Sequence, residues 1–417
     1  MKLKGGILYY TLLLMIISTA VMSLLIMRGY LFNKFFINSI QRDKLERNVS
    51  SAFNIYREGD MDFSVSENFD IDLFGDGLDI VSVEKKKWGV YDLITINAEW
   101  KNFKVKKSGL FGTDMDRGNG TAVYLVDNGI SLSLSGSSFV KGLCFTSEGF
   151  VSSASIEGYP FIFQKTVEGR VEKSAKPPLF LDTEVPASIT SLFYELSNYV
   201  PFSDIKSNNI SAIENSFCEP VSVYYADSSL VLSGISLKNN IILASNGTLT
   251  INKSAELENV ILLARKIVVN EGYSGSFQAF ALEKIDVRKN VFLEYPSVLA
   301  IVHDSLRKFT QMPAIFLEEN TSVSGGIFVI ANDDTGFIKI SKNSTIYGQV
   351  YCNGNIEHSG NVYGSVYCNM FSYIFGQMRY YNHLLNANID YSKLPYNFSG
   401  VNINNENPKK SLIKWVD

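Results

Sequence analysis

The sequence predicts a mainly β protein: a stack of short coils (a β-solenoid), preceded by a β-rich region and one long N-terminal transmembrane helix. Three observations carry this. Residues 340–353, Ile-Ser-Lys-Asn-Ser-Thr-Ile-Tyr-Gly-Gln-Val-Tyr-Cys-Asn, return 16 residues later at 356–369 with Tyr-Gly-x-Val-Tyr-Cys-Asn intact. A period this short suits one solenoid coil, whereas the usual helical repeats need roughly 33 residues or more. Residues 5–27 form an uncharged apolar run, long enough to cross a bilayer as a helix. The composition, 28 Phe and 22 Tyr with only 19% charged residues, favours strands over helices.

The repeat continues upstream. Residues 317–329 align with the 340 unit, placing Gly325 on Gly348 and Ile327 on Val350, and 251–263 fits the same frame. Fainter copies begin at Val269 and Val287. The longer gaps read as insertions at coil corners, such as 332–336. The solenoid is therefore set at 235–370. The competing architecture is an antiparallel sandwich, because short alternating strands serve both folds.

Period-two alternation sorts the side chains. Ile346, Gly348, Val350 and Cys352 share one face with Val362, Gly364, Val366 and Cys368 of the next coil, and this face is expected to point inward. Tyr347, Tyr351, Tyr363 and Tyr367 then form an external ladder, which either stabilises the stack or offers flat rings to a glycan or a protein partner. In-register coils about 4.8 Å apart would bring Cys352 and Cys368 within disulfide range. The same thiols also suit an inward column of small apolar residues.

The remaining organisation follows by exclusion. Residues 1–57 are the anchor with an amphipathic extension, in which Leu31, Phe35, Ile37, Ile40, Val49, Ala52, Phe53 and Tyr56 lie among charged residues. Residues 58–180 are β-rich, with a Gly-punctuated stretch at 132–163 that resembles an earlier, degenerate part of the stack. Residues 181–234 are a helical insertion or linker after Lys176-Pro177-Pro178, with a short helix at 186–198. Residues 371–417 form a C-terminal cap and polar tail, since an open stack end exposes unpaired strand edges. Lys2 and Lys4 ahead of the apolar run are answered by Arg28 and Lys34 beyond it, yet a four-residue leader with two lysines favours a cytoplasmic N-terminus; the expected setting is a bacterial inner membrane with the bulk of the chain exported.

Chemistry is sparse. A net charge of −4 supplies no basic face for nucleic acid. Asp333-Asp334 is an adjacent aspartate pair, but it sits in an apparent insertion, and His303, His358 and His383 share no spacing. The acidic run from Asp70 to Asp79 lacks EF-hand spacing and reads as a strand entering an Asp-Gly turn. Catalytic, cofactor and metal sites are accordingly expected to be absent.

Two resemblances colour this reading. The Gly-turn coils over 317–370 resemble bactofilin-type polymer-forming repeats, which implies self-association. The spanning helix running into an amphipathic half, with Lys4-Gly5-Gly6 ahead of it, resembles type IV pilins and pseudopilins, although Tyr10 stands where a pilin places Glu. The expected function is a non-catalytic, membrane-anchored envelope component of a pilus-like or secretion apparatus, working through envelope-protein partners or further copies. The alternative is a carbohydrate-binding or carbohydrate-cleaving β-helix.

Overall fold

A computed structural model describes residues 6–59, 68–75, 77, 79–115, 120–175, 184–194, 199–203, 210–303, 312–331, 334–403 and 408–416. Lys4 and Gly5 of the pilin-like motif, Lys176-Pro177-Pro178, Asp76 and Asp333 lie outside the described residues. Strands make up 55% of the fold, with one long apolar N-terminal helix, so the protein is mainly β. Two compact units divide the chain: residues 1–55, 68–84 and 95–107, and residues 56–67, 85–94 and 108–417.

The first unit is built on helix α1 (Gly6–Glu58) up to residue 55; the helix has 53 residues and is long and apolar enough to cross a membrane. Leu45, Val49, Ala52 and Phe53 are buried at helical spacing, whereas the large apolar side chains from Ile7 to Ile40 are mostly exposed. Strand Asn68–Asp72 pairs antiparallel with the start of strand Ile80–Trp88, Phe69 opposite Val83 and Asp72 opposite Ile80. The acidic run is the expected turn. Asp72 accepts hydrogen bonds from the backbone N–H of Gly75 (2.9 Å) and Gly77 (2.8 Å), satisfying its carboxylate locally.

The second unit is dominated by a 21-stranded sheet whose long strands pair in parallel. Thr345–His358 and Asn361–Phe375 run in register, setting Ile346 on Val362, Gly348 on Gly364, Val350 on Val366 and Cys352 on Cys368. Ser322–Ala331 lies below them with Gly325 on Gly348, as the repeat alignment requires. The ladder continues down through Phe292–His303, Ser274–Val287, Glu256–Val269 and Ile241–Ile251. It extends below residue 235, because Ala212–Asn215, Ser222–Ala226 and Leu230–Leu232 also pair in parallel with later strands. The region expected as a helical insertion thus contributes strands, and its helix, α2 (Glu184–Tyr194), holds Pro186 in the first turn. Pairings within this sheet close on themselves, six strands forming a parallel closed barrel.

Residues 121–173 join the ladder out of sequence order. Val123 and Tyr124 pair with Val366 and Tyr367, beyond the final repeat. Asn388–Asp390 bridges Asn361 on one side and Phe139 on the other, and Leu384 pairs with Leu134. Val167–Glu168 and Val171–Lys173 then stack on Val140 and Cys144. The Gly-punctuated stretch therefore stacks on the C-terminal side of the repeats, where the sequence placed it before them.

A glycine column explains why the repeated unit keeps its glycine from copy to copy. At Gly348 (φ 147°) a Cβ would lie 1.8 Å from the Gly325 carbonyl oxygen, and at Gly364 (φ 150°) a Cβ would lie 1.9 Å from that of Gly348. These positions, inside paired strands, need both a backbone region that L side chains rarely adopt and the space of a missing side chain. Gly348→Ala is expected to lower unfolding free energy by about 2 kcal/mol or more. Denaturant titration of the detergent-solubilised chain checks this, and an unchanged midpoint would contradict the close backbone approach at Gly348.

Candidate functional site

Side chains of the ladder strands fall into aligned columns on two faces. The inner face is aliphatic: Leu243, Leu262, Ala279, Leu299, Ile327, Val350, Val366 and Val123 are all buried and follow one another through the pairings. A neighbouring inner column runs Ala281, Ile301, Val329, Cys352, Cys368 and Leu125. Cys352 and Cys368 are register partners as expected, yet both are free thiols. The disulfide that the spacing allows is not formed. Here the two cysteines act as small apolar residues, and burial pushes both thiols up in pKa.

The opposite face departs from the sequence reading. Tyr351 and Tyr367 are 5% and 8% exposed, part of a second apolar cluster with Phe280, Phe328, Trp88, Tyr91, Val185 and Ile189. The Tyr367 ring stacks on Tyr124 at 6.4 Å, and Tyr124 meets Phe145 at 5.1 Å. The four tyrosines therefore do not form one external ladder, because this face is a second core. Only Tyr347 and Tyr363 remain half-buried, their rings 5.3 Å apart, with Lys393 Nζ 4.7 Å above Tyr363.

What seals the second core is a pair of glutamines. Gln278 and Gln349 are 4% and 2% exposed among the apolar side chains of this face. Gln278 Oε1 accepts from Val90 N–H (3.0 Å) while its Nε2 donates to the Trp88 carbonyl (2.8 Å). Gln349 repeats the arrangement on one residue, accepting from Val401 N–H (2.7 Å) and donating to the Val401 carbonyl (3.1 Å). Each amide thus completes backbone that would otherwise be buried without a partner. Each also abuts a glycine: a Cβ would come within 2.1 Å of Gln278 Oε1 at Gly89 and 2.2 Å of Gln349 Oε1 at Gly400. The readable signal was a glutamine inside an apolar strand, Phe277-Gln278-Ala279-Phe280, a pattern that needs a polar partner.

A buried ionic cluster is the other built polar feature. Asp92, 2% exposed, receives Lys87 Nζ on Oδ1 (2.7 Å) and both Lys410 Nζ and Tyr56 Oη on Oδ2 (2.8 Å each). Lys87 also reaches Glu184 of α2 at 3.1 Å. Burial raises the Asp92 pKa, but Lys410, Lys87 and Lys85 outweigh it and hold the carboxyl below its ordinary range. The arrangement joins four segments distant in sequence, around Tyr56, 87–92, Glu184 and Lys410, so periodicity could not reveal it.

The remaining groups show no assembled chemistry. His358 lies in the core beside the Asn388 carbonyl (3.4 Å), and burial pushes its pKa down to about 4, leaving it neutral. His383 is held by the Tyr381 carbonyl at 2.7 Å. Among the described residues no group of three metal-ligating side chains converges. A shallow cleft of about 870 Å³ runs along one row of turns, lined by Asn252, Lys253, Asn270, Glu271, Arg288 and Glu318 among others. No family model, curated protein or solved structure matches the chain.

Two outcomes follow from this geometry. Gln349→Leu strands both polar groups of Val401 and is expected to cost about 2–4 kcal/mol, with new protease cleavage near 399–416; full resistance to the protease would count against the clasp. Asp92→Asn leaves Lys410 without its carboxylate and Lys87 with Glu184 alone, and should cost roughly 3–5 kcal/mol at pH 7. Because the folded pKa is depressed, the Asp92 contribution is present above about pH 4 and is lost as pH falls through the folded value. Stability measured from pH 7 to pH 2 should therefore fall less steeply in Asp92→Asn than in the wild type.

Proposed function

We propose that this chain is a non-catalytic, membrane-anchored structural or assembly protein of the bacterial cell envelope. In this reading α1 crosses the inner membrane and a β-solenoid is displayed outside it. The carrying observation is the pairing of an exposed apolar helix with a long, in-register parallel ladder in one chain. The ladder supports the solenoid reading because each strand repeats the side-chain columns of the one before. Its polar residues are used to close the fold, which suits a scaffold acting through its surface. The outward Tyr347–Tyr363 pair is the part of the expected tyrosine ladder left to meet a partner.

A pilus-like or secretion assembly remains the setting to test, through processing of the N-terminus. Intact mass of the protein from membranes, together with protease treatment of intact spheroplasts, decides this. The proposal expects the 60–417 region to be degraded from outside while a fragment carrying the apolar helix stays with the membrane. Protection of that region until the cells are lysed would place it in the cytoplasm and end the proposal.

One observation favours a second reading, glycan binding: the amide- and charge-lined cleft beside Asn252, Asn270 and Arg288. Saturable binding on a glycan panel, lost in Asn270→Ala plus Lys253→Ala, would support it. A panel with no saturable ligand would remove it.

A further inference from the structure

The first unit carries a feature that the anchor alone does not explain. Helix α1 places Tyr9 and Tyr10 near one end of its apolar run and Tyr30 twenty residues further on, a rise of about 30 Å, the thickness of a bilayer's hydrocarbon core. Tyrosines at this separation suit the two aromatic belts. Yet Tyr30, Leu31, Phe32, Phe35, Phe36, Ile37 and Ile40 all stand 44–73% exposed beyond or at the second belt. An upright helix would lift most of that surface into water, at a cost of about 1.5–3 kcal/mol for each large side chain. A tilted helix instead lays it along the headgroup interface.

The strands of the same unit have one end set toward this part of the helix. Asp79 (8% exposed) is held by Lys44 Nζ at 2.8 Å and Asn48 Nδ2 at 2.9 Å, and Lys44 lowers its pKa. Strands Ile80–Trp88 and Tyr91–Trp100 are sheet neighbours joined by a two-residue turn, which brings Trp100 level with Asp79. The next turn, Lys101-Asn102, leads into strand Phe103–Asp114. At that tip the rings of Trp100 and Phe103 stack 6.2 Å apart with a 21° interplanar angle, and Lys101 Nζ sits 4.4 Å above Trp100. Lys104, itself 58% exposed, pairs with Glu99. Residues 95–107 hold four lysines against one glutamate. The adjoining turn of the same sheet end carries Phe74, 67% exposed.

We propose that this sheet end docks on an anionic lipid surface. Trp100, Phe103 and Phe74 enter the interface, and Lys101 and Lys104 meet lipid phosphates. Aromatic rings with an apolar body and a polar edge prefer that layer, and lysines beside it gain about 1 kcal/mol each from anionic lipid. The docking fixes the tilt that buries the exposed flank of α1, and it rests on the reading of α1 as a membrane span.

The test uses the full-length chain reconstituted in phosphatidylcholine bilayers with and without 30% phosphatidylglycerol, each containing lipids brominated near the glycerol. Tryptophan quenching in the wild type should exceed that in Trp100→Phe, and the excess should grow with phosphatidylglycerol. Lys101→Glu plus Lys104→Glu should remove the growth at least twofold. Equal quenching of wild type and Trp100→Phe, or an excess indifferent to anionic lipid, overturns the docking. Carbonate extraction of the same samples separates the two readings. A chain retained in the bilayer without Trp100 quenching defeats the docking alone, whereas a chain released by carbonate defeats the span itself.

Discussion

Parallel in-register pairing is the constraint on which the rest depends. Once Thr345–His358 and Asn361–Phe375 align residue for residue, every side chain must tolerate a near-copy of itself about 4.8 Å above and below. Aliphatic columns tolerate this well, and so do Cys352 and Cys368. Three positions tolerate it least, because the carbonyl of one strand points where the next would carry a Cβ. Glycine at 325, 348 and 364 resolves that conflict, and this is why the repeat keeps Tyr-Gly-x-Val. The repetition in the sequence is the trace of a backbone packing requirement.

The same constraint creates the second core. A face carrying Leu263, Phe280, Phe328, Tyr351 and Tyr367 in one column is too apolar to leave in water, so other segments of the unit cover it. Covering a sheet face with irregular chain brings unpaired backbone amides with it. Gln278 and Gln349 supply the missing partners at two points, each against a glycine that lets the backbone approach. Asp92 plays a related part for charge, gathering Lys87, Lys410 and Tyr56 where a lone buried ion would be costly.

How much of this the sequence could show depended on whether the interaction was periodic. The strands, their register from 317 to 369, the inward column with its cysteines and the long helix all follow from spacing, which reports local geometry. Tyr351 and Tyr367 were placed on the correct face, but alternation cannot say whether that face meets water or another part of the chain. Residues 132–163 showed the right texture in the wrong place, since Phe139 pairs with Asn388 across 249 residues and nothing periodic links them. Gln278 stood out as a polar residue in an apolar strand, but its partner at Trp88, like the Lys410 partner of Asp92, lies on a segment distant in sequence.

The central claim is a continuous parallel ladder in which the 121–173 segment stacks beyond the last repeat. Its most direct test is a cysteine cross-link between Phe139→Cys and Asn388→Cys, outward positions on register partners far apart in sequence. With Cα atoms at the spacing of neighbouring strands, mild oxidation should form that bond in nearly all molecules. Moving one partner to Asp390 should abolish it. No bond between 139 and 388, with an efficient bond between 139 and 390, would contradict the register, and the absence of both would contradict the stacking itself.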